Sequence, residues 1–403
     1  MAQVRTRKRG KTWSFIFEAG IVNGKRKVVE KGGFPTKDAA YKAGIEKYTD
    51  FIHGNIGITS EAITLKDFMT QWLDEVVALN VKPTTLQRYQ RDSQHHIFPT
   101  LGDKKVQELT TAIIDSWLRA LQKKGLAYKT ISLTLSLLRY ALNYAVHPAQ
   151  LINSNPAVYV KVPKNAPKNI VKRTIITPEQ FRALLEKYPF GTMIYIPLLL
   201  LYHTGMRLGE VLGLSWSDID FEAKKITLSR QIIYLKKQGY FLTSLKTKSS
   251  TRYIIIDDFL LSELQRWQIQ QVENEKIFGD TYVYIYCEND GHITRQSKGL
   301  PTPEGEKIDL ICRQKNGKLI LREYLTKLLK QEGINALSFR HTHATTLIED
   351  GVVPENVSKR LGHKNSDSTF KVYVHNTPKV QEQAFKLQEE AVANFVKIMQ
   401  TST

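Results

Sequence analysis

Two arginines, a histidine and a tyrosine occur along the second half of this chain in an order suited to phosphodiester chemistry. Arg207 sits in Thr204-Gly205-Met206-Arg207-Leu208-Gly209-Glu210, and Arg340 in Leu337-Ser338-Phe339-Arg340-His341-Thr342-His343. His363 follows in Leu361-Gly362-His363-Lys364, and Tyr373 comes ten positions later in Tyr373-Val374-His375. A DNA phosphodiester is anionic and repels a nucleophile until the charge on its non-bridging oxygens is offset. A guanidinium does this well, because it stays protonated and its planar fork takes two oxygens at once. A tyrosine hydroxyl, with an ordinary pKa of about 10, needs such a positive site and a proton acceptor before it attacks. Two guanidiniums, a histidine and a hydroxyl therefore form a set able to break a phosphodiester through a covalent intermediate. Each residue alone has a plainer use. Glu210, three positions after Arg207, would pair with it structurally, and among 18 tyrosines one more decides nothing. The chain has no cluster of Asp, Glu or His at metal-ligand spacing, so no metal and no cofactor are expected; the arginines would offset the charge.

The ordered set resembles the tyrosine recombinase (phage integrase) family. That family's pattern is an arginine in a T-G-x-R-x-x-E turn, a lysine on a β-hairpin, H-x-x-R-H, then L-G-H and a tyrosine about ten positions on. The likeness spans roughly residues 174–385. It implies that Arg207 and Arg340 clamp the scissile phosphate and that Tyr373 is the nucleophile. Attack would leave a 3′-phosphotyrosine and a free 5′-hydroxyl, retaining the bond energy so that rejoining needs no ATP. His363 would hydrogen-bond the phosphate or take the tyrosine proton. The general-acid lysine of the family resembles Lys246, in Ser244-Leu245-Lys246-Thr247-Lys248-Ser249-Ser250, a stretch that reads as the turn before a strand at 252–256. Lys248, two residues on, is the alternative. One position departs from the pattern. The first histidine of H-x-x-R is Leu337 in this chain, which offers neither donor nor acceptor. Either His341 or His343 takes over that contact or the rate is lower, although His341 directly follows Arg340 and would point elsewhere on a regular helix.

Composition points to a polyanionic partner. The 403 residues carry 58 Lys and Arg against 39 Asp and Glu, a formal net charge of +19. Ribosomal and membrane-surface proteins share such charge, so it narrows the partner and not the activity. The length suits two or three domains, each with its own core. No run of about 18 or more apolar residues occurs, so no membrane span is expected; the stretch from Met193 to Tyr202 is apolar but short and reads as a buried helix. The basic N-terminus lacks a following apolar stretch and does not read as a secretory signal. Cys287 and Cys312 are too few for a disulfide framework or a zinc site, and a reducing bacterial cytoplasm, at the nucleoid, is the expected compartment.

The chain that must position these residues reads as multidomain. A small α+β N-terminal module covers 1–58, an all-α domain 64–162, and a mixed, mainly α domain with a small antiparallel sheet 173–403. In the first, the stretches Trp13 to Glu18 and Lys25 to Glu30 read as strands joined at Asn23-Gly24, a dipeptide favoured in tight hairpins because both turn residues tolerate positive φ. Thr36 then N-caps a helix running to about His53. Arg5, Arg7, Lys8, Arg9, Lys11, Lys25, Arg26 and Lys27 flank the hairpin. A two-stranded ribbon fits the major groove, and the module resembles the arm-binding domain of integrases, so it is expected to hold DNA.

In the second domain, helices open at Thr64, Pro83, Thr110 and Tyr128, with stripes such as Ile131, Leu135, Leu138 and Leu142 forming core. Arg88, Arg91, Lys129 and Arg139 on the polar faces are candidates for phosphate contact, and the arrangement resembles the family's core-binding domain. Residues 161–173, with Lys161 and Lys164 among prolines, read as an extended linker tracking along a phosphate backbone. In the third domain, strands are expected at 225–228, 231–234 and 252–256, with a strand-rich stretch of unassigned purpose at 283–322. A C-terminal helix is expected from Pro378 to about Met399, and its stripe of Ala384, Leu387, Ala391, Phe395 and Ile398 has to pack somewhere.

These features unite in a three-domain site-specific recombinase acting on double-stranded attachment sites, integrating and excising a phage or an integrative element. The resemblance implies self-association into a tetramer on DNA through the C-terminal helix, with an excisionase and a host DNA-bending protein as further partners. Two rival readings stand beside it. One is an enzyme that resolves chromosome or plasmid dimers, disfavoured by the N-terminal β-module that such enzymes usually lack. The other is a DNA-binding protein that keeps the fold with catalysis weakened at Leu337.

Overall fold

The computed structural model describes residues 4–22, 25–52, 62–168, 174–245, 250–362 and 388–389. The chain divides into two units, Met1–Val171 and Lys172–Thr403.

The first unit begins with an antiparallel sheet, β1 (Arg5–Arg9), β2 (Thr12–Val22) and β3 (Lys25–Phe34), in the order β1-β2-β3. The expected strand pair gains β1 as a third member. Its run Arg5 to Arg9 has no apolar alternation to mark a strand, and it is ladder pairing, Arg5 opposite Ile16 through Arg9 opposite Thr12, that makes it one. Val22 pairs with Lys25 across the hairpin turn; Asn23 and Gly24 lie outside the described residues. α1 (Lys37–Ile52) starts where Thr36 Oγ1 accepts the Ala39 N–H at 3.2 Å, and it packs over Phe15 and Phe17. Gly44 permits that approach: a Cβ there would stand 2.6 Å from Val4 Cγ1 and 2.8 Å from Phe15 Cβ.

Helices make up the rest of the unit. α2 (Leu65–Trp72) continues through a π-helical turn (Leu73–Val77) into α3 (Ala78–Asn80). α4 (Pro83–Asp92) continues through a second π-helical turn (Ser93–Ile97) into α5 (Phe98–Leu101), and α6 (Thr111–Lys123) and α7 (Tyr128–Val146) follow. Thr64 and Thr110 cap α2 and α6 through their hydroxyls, accepting from the N–H groups of Asp67 and Ile113. The stripe of Ile131, Leu135, Leu138 and Leu142 is buried with Phe68, Trp72 and Leu118 in one core. Two expectations change here. Residues 161–168 are not a free linker, since Ala166 is buried in the helical core, Tyr128 donates to the Pro167 carbonyl at 2.8 Å, and Gln122 Nε2 donates to Asn165 Oδ1 at 2.8 Å. Arg139, expected on a DNA-facing polar surface, instead donates from Nε to the Ala157 carbonyl at 2.9 Å and from Nη2 to those of Val158 and Val160. A long cationic side chain at a helix surface can satisfy loop carbonyls as readily as phosphates, and sequence spacing does not separate the two.

The second unit is built around α9 (Tyr195–Thr204), which follows α8 (Pro178–Lys187) and precedes the short α10 (Leu208–Leu212). α9 is apolar all round and every residue from Tyr195 to Leu201 is buried, as its composition requires. Three small sheets replace the one expected. β4 (Ile219–Asp220), β5 (Lys225–Leu228) and β8 (Arg252–Ile255) form one, while β6 (Arg230–Leu235) and β7 (Gly239–Ser244) form a separate hairpin. Thus 225–228 pairs with 252–255, and 230–235 pairs with a strand that the sequence pattern did not reveal.

α11 (Asp258–Phe278) leads into the third sheet, β9 (Val283–Cys287), β10 (Ile293–Ser297) and β11 (Glu306–Lys307), in the order β10-β9-β11. The 283–322 stretch thereby gains a structural purpose. Leu310, Ile311, Leu319 and Ile320 are buried against the α9–α11 core, and both Trp267 Nε1 and Gln271 Nε2 donate to the Ile311 carbonyl, at 2.8 and 2.7 Å. α12 (Arg322–Gln331), α13 (Ala336–Glu349) and α14 (Pro354–Leu361) complete the described elements. Of the expected C-terminal helix only residues 388–389 are described. Among the described residues no helix is long and apolar enough to cross a membrane.

Candidate active site

The stretch Thr204 to Glu210 is a helix-turn-helix joint whose residue types follow from its geometry. α9 ends on Gly205 in the left-handed region, φ 64°, where a side chain is strained; a Cβ would also stand 2.8 Å from His343 Cδ2 and 2.9 Å from Leu361 Cδ2. Thr204 Oγ1 donates to the Leu200 carbonyl and accepts the Met206 N–H at 3.2 Å. Arg207 is extended, φ −74° and ψ 147°, at the N-cap of α10, and Glu210 at the third helical position reaches back to accept the Arg207 N–H at 2.9 Å. The same carboxylate accepts Arg207 Nη1 at 2.8 Å. Thus the arginine at the N-cap is aimed by its own capping partner.

α13 supplies the second arginine. Asn335 caps it by accepting the N–H groups of Leu337 and Ser338 at 2.9 and 3.1 Å. Phe339 is buried in the core shared with α9, and Arg340 beside it is 3% exposed. Arg340 Nη1 donates to the Gly205 carbonyl at 2.9 Å and Nη2 to the Leu361 carbonyl at 2.6 Å. Arg207 Nη2 lies 3.5 Å from the next carbonyl, that of Gly362. Two guanidiniums from different helices therefore meet at the joint after α9 and the end of α14, and Arg207, with 39% of its side chain exposed, opens to solvent.

A third arginine, which the sequence reading did not single out, completes the cluster. Arg252 at the head of β8 holds Glu210 through Nη2–Oε2 at 2.9 Å and Nη1–Oε1 at 3.3 Å, and donates from Nε to the Arg360 carbonyl at 2.7 Å. Its strand parity was the available signal. Side chains alternate along a strand, so Arg252 faces the same way as the buried Ile254 and Ile256, and a charge in phase with core residues needs a partner. Burial alone would raise the Glu210 carboxyl, but the Arg252 hydrogen bonds and charge, together with Arg207, hold it below the usual carboxylate range.

His343, one of the two histidines weighed as a substitute at the Leu337 position, makes its contacts within the fold. Its Nδ1–H donates to the Tyr202 carbonyl at 3.2 Å, and its Nε2 accepts Arg360 Nε–H at 3.1 Å, so both ring nitrogens are engaged within the fold. Burial, then the Arg360 charge, push the imidazole down to about 4, outweighing the Tyr202 hydrogen bond. Arg360 in turn donates from Nη1 and Nη2 to the Ile255 carbonyl of β8 at 3.3 and 3.2 Å. His343 is thus a neutral tie between α9, α13 and α14. His341 is partly buried on the next position but one of α13, and Leu337 is 58% exposed.

Lys246, Lys248, His363 and Tyr373 lie outside the described residues. Their flanks are described: Leu245 donates to the Ser229 carbonyl at 3.2 Å, and Gly362 closes α14 in the left-handed region at φ 68°. Of the candidate DNA contacts, Arg5, Arg7, Lys8 and Arg9 are exposed on β1, with Arg9 paired to Glu30 at 3.0 Å. Lys25, Arg26 and Lys27 lie on β3, their side chains outside the described ones. Arg88 stacks its guanidinium 4.8 Å from the Tyr89 ring centre, and Arg91 pairs with Asp92 at 2.9 Å; Lys129, Lys161 and Lys164 are exposed.

Comparison with known proteins agrees with this frame. Residues 175–379 match the phage integrase family, 64–122 the N-terminal SAM-like domain of phage integrases, and 3–47 an Arm DNA-binding domain. A XerC-like tyrosine recombinase of Caldanaerobacter subterraneus subsp. tengcongensis is 30% identical over 372 residues, covering 89% of this chain and 90% of its own. The ICEBs1 integrase of Bacillus subtilis is 27% identical over 318 residues, 77% of this chain and 79% of that one. In fold, the Tn1549 transposon integrase in complex with transposon right end DNA superposes with a TM-score of 0.61 at 21% identity, covering 81% of this chain and all of that one. A lambda integrase tetramer bound to a Holliday junction gives 0.53 at 15% identity over 93% and 96%. The chain belongs to the phage integrase family, the tyrosine recombinases. It is accordingly a DNA-binding enzyme that cleaves and rejoins DNA strands at specific sites.

Proposed function

We propose that this recombinase integrates and excises a mobile element by a phosphotyrosine mechanism in which Arg207 and Arg340 clamp the scissile phosphate. The observation that carries the reading is the meeting of the two guanidiniums on adjacent carbonyls, Leu361 for Arg340 and Gly362 for Arg207, immediately before the segment that bears His363 and Tyr373. Tyr373 Oη attacks phosphorus and the P–O5′ bond breaks. The tyrosine proton passes to His363, and Lys246 gives a proton to the leaving 5′-oxygen. The guanidiniums offset charge that grows on the non-bridging oxygens. Glu210 holds Arg207 in place for this, and Leu337 contributes no polar contact. Double-stranded attachment sites are the substrate, with the basic β1 strand and the exposed lysines of the helical unit contacting phosphates. The protein works as a tetramer on DNA, through its C-terminal helix, together with an excisionase and a host DNA-bending protein, at the bacterial nucleoid. The match to an Arm DNA-binding domain and the likeness to the ICEBs1 integrase support an integrative element over chromosome-dimer resolution.

The test uses a core sequence selected by the full chain from a random-sequence duplex pool, placed in a nicked suicide substrate. Tyr373→Phe abolishes covalent attachment while leaving affinity unchanged within about threefold. Arg207→Lys and Arg340→Lys each keep charge but lose the fork, and attachment falls about 10²–10³-fold. Persistent attachment by Tyr373→Phe would assign the nucleophile elsewhere, and wild-type cleavage by either lysine variant would remove that arginine from the clamp.

A further inference from the structure

Three successive carbonyls close α14, and three different arginines hold them. The Arg360 carbonyl accepts Arg252 Nε at 2.7 Å, the Leu361 carbonyl accepts Arg340 Nη2 at 2.6 Å, and the Gly362 carbonyl lies 3.5 Å from Arg207 Nη2. The last carbonyls of a helix have no partner inside it and sit at the negative end of its dipole, so guanidiniums cap them well. Two of these arginines are the proposed phosphate clamps. Arg252 differs from Arg207 in two ways, and is as enclosed as Arg340, which is 3% exposed. It is enclosed, with 6% of its side chain exposed against 39% for Arg207, and all three of its nitrogens already have partners in the fold. Beyond the Arg360 carbonyl it binds both oxygens of Glu210, and Nη1 also donates to the Ser250 carbonyl at 2.9 Å.

We propose that Arg252 is a positioning residue for DNA cleavage, one guanidinium setting both the Arg207 clamp, through Glu210, and the exit of α14 that leads to Tyr373. The inference rests on the roles proposed above for Arg207 and Tyr373. Its physical content is twofold. Glu210 offsets the charge of Arg207 and leaves the clamp of Arg207 and Arg340 with a net +1, and a further guanidinium on the same carboxylate raises this to +2. When a phosphate enters, Arg207 and Arg340 exchange carbonyl oxygens for charged ones, Arg207 giving up the longest of the three contacts. Arg252, with its nitrogens engaged by Glu210 and by the Ser250 and Arg360 carbonyls, keeps its carbonyl, so the end of α14 stays in place while the clamps reorient. Positional errors of about 1 Å in such a frame cost about 10²-fold in rate.

The experiment measures single-turnover covalent attachment at saturating DNA on the selected nicked duplex, with affinity and thermal melting alongside. Arg252→Met keeps the stem and removes the fork. Its attachment rate falls about 10–100-fold while affinity stays within about threefold. Arg252→Lys, a single point donor, recovers part of the loss. Because Arg252 acts on the clamp through Glu210, combining Arg252→Met with Glu210→Gln slows attachment by less than the product of the two single losses, whereas wholly independent roles would multiply them. A wild-type rate in Arg252→Met, or multiplied losses in the pair, overturns the proposal. Should Arg252→Met fail to fold, Arg252→Lys decides, since a wild-type rate there overturns it equally. Tyr373→Phe and Arg207→Lys run beside them. If those two cleave normally the clamp assignment itself is wrong and this inference falls with it, while loss of cleavage in them with a wild-type rate in Arg252→Met overturns this inference alone.

Discussion

Acidification should loosen the second unit through His343 before it disturbs the carboxylates of the site. The imidazole satisfies both partners only when neutral, with Nδ1–H on the Tyr202 carbonyl and Nε2 accepting from Arg360. Burial is the chief cause of its low pKa of about 4; the charges of Arg360, Arg340 and neighbouring His203 add to it, and only the Tyr202 hydrogen bond opposes. The folded value lies below the ordinary 6.5, so between them the unfolded chain binds a proton that the folded chain refuses. Stability is therefore complete above about pH 6.5 and is lost as pH falls toward 4. A gap of about 2.5 units is worth about 3 kcal/mol in full, and about 2 kcal/mol of it is gone by pH 5. At about 2–4 °C per kcal/mol for a domain of this size, Tm falls about 4–8 °C between pH 7.5 and 5 through this group. Glu210 stays out of the window, since a carboxyl held below its usual range loses stability only beneath about pH 4.3. His343→Gln keeps a neutral donor and acceptor at every pH, so its Tm starts lower and changes less over the same interval. Melting both proteins at constant ionic strength at pH 7.5, 6.5, 5.5 and 5 gives the comparison. Parallel Tm profiles for the two would refute the argument that the buried neutral imidazole carries this pH dependence.

Leu337→His restores the imidazole usual in the family; because the position is 58% exposed, the change costs no more than about 0.5 kcal/mol. Single-turnover cleavage should rise about tenfold or more, and an unchanged rate in a folded variant would show that the position does not limit the reaction. Arg139→Ala removes donors from the carbonyls of Ala157, Val158 and Val160 and should cost about 2–4 kcal/mol in urea unfolding, with the salt dependence of DNA binding unaltered. A reduced salt slope with normal stability would return Arg139 to the DNA surface. Replacing Arg5 and Arg7 together by Ala should erase one separate footprint and spare the core-site footprint, while the slope of log affinity against log salt on the erased site drops by about 1–2. Equal weakening of both footprints would mean that β1 does not read a site of its own.

What the chain determines by itself is what depends on short range. The Thr204-to-Glu210 joint was legible because a left-handed glycine, an extended N-cap and a carboxylate three residues on are all specified within one turn of helix. The helix from Tyr128 to Val146 was legible for a similar reason, since its apolar period needs no knowledge of what it packs against. Strands at 225–228 and 252–255 were likewise visible, but their pairing was not, because a ladder joins backbones that local pattern does not connect; the strand expected at 231–234 belongs to a separate hairpin and not to their sheet. The same limit hid the arginine cluster. Arg252 meets Glu210 across 42 positions and Arg360 across 108, and Arg207 meets Gly362 across 155. Local spacing shows that a charged side chain exists; only the tertiary fold decides whether its nitrogens find a phosphate, a loop carbonyl as for Arg139, or a buried carboxylate as for Arg252. The choice is made by burial, since a desolvated guanidinium takes whatever acceptors the packing brings within hydrogen-bond distance.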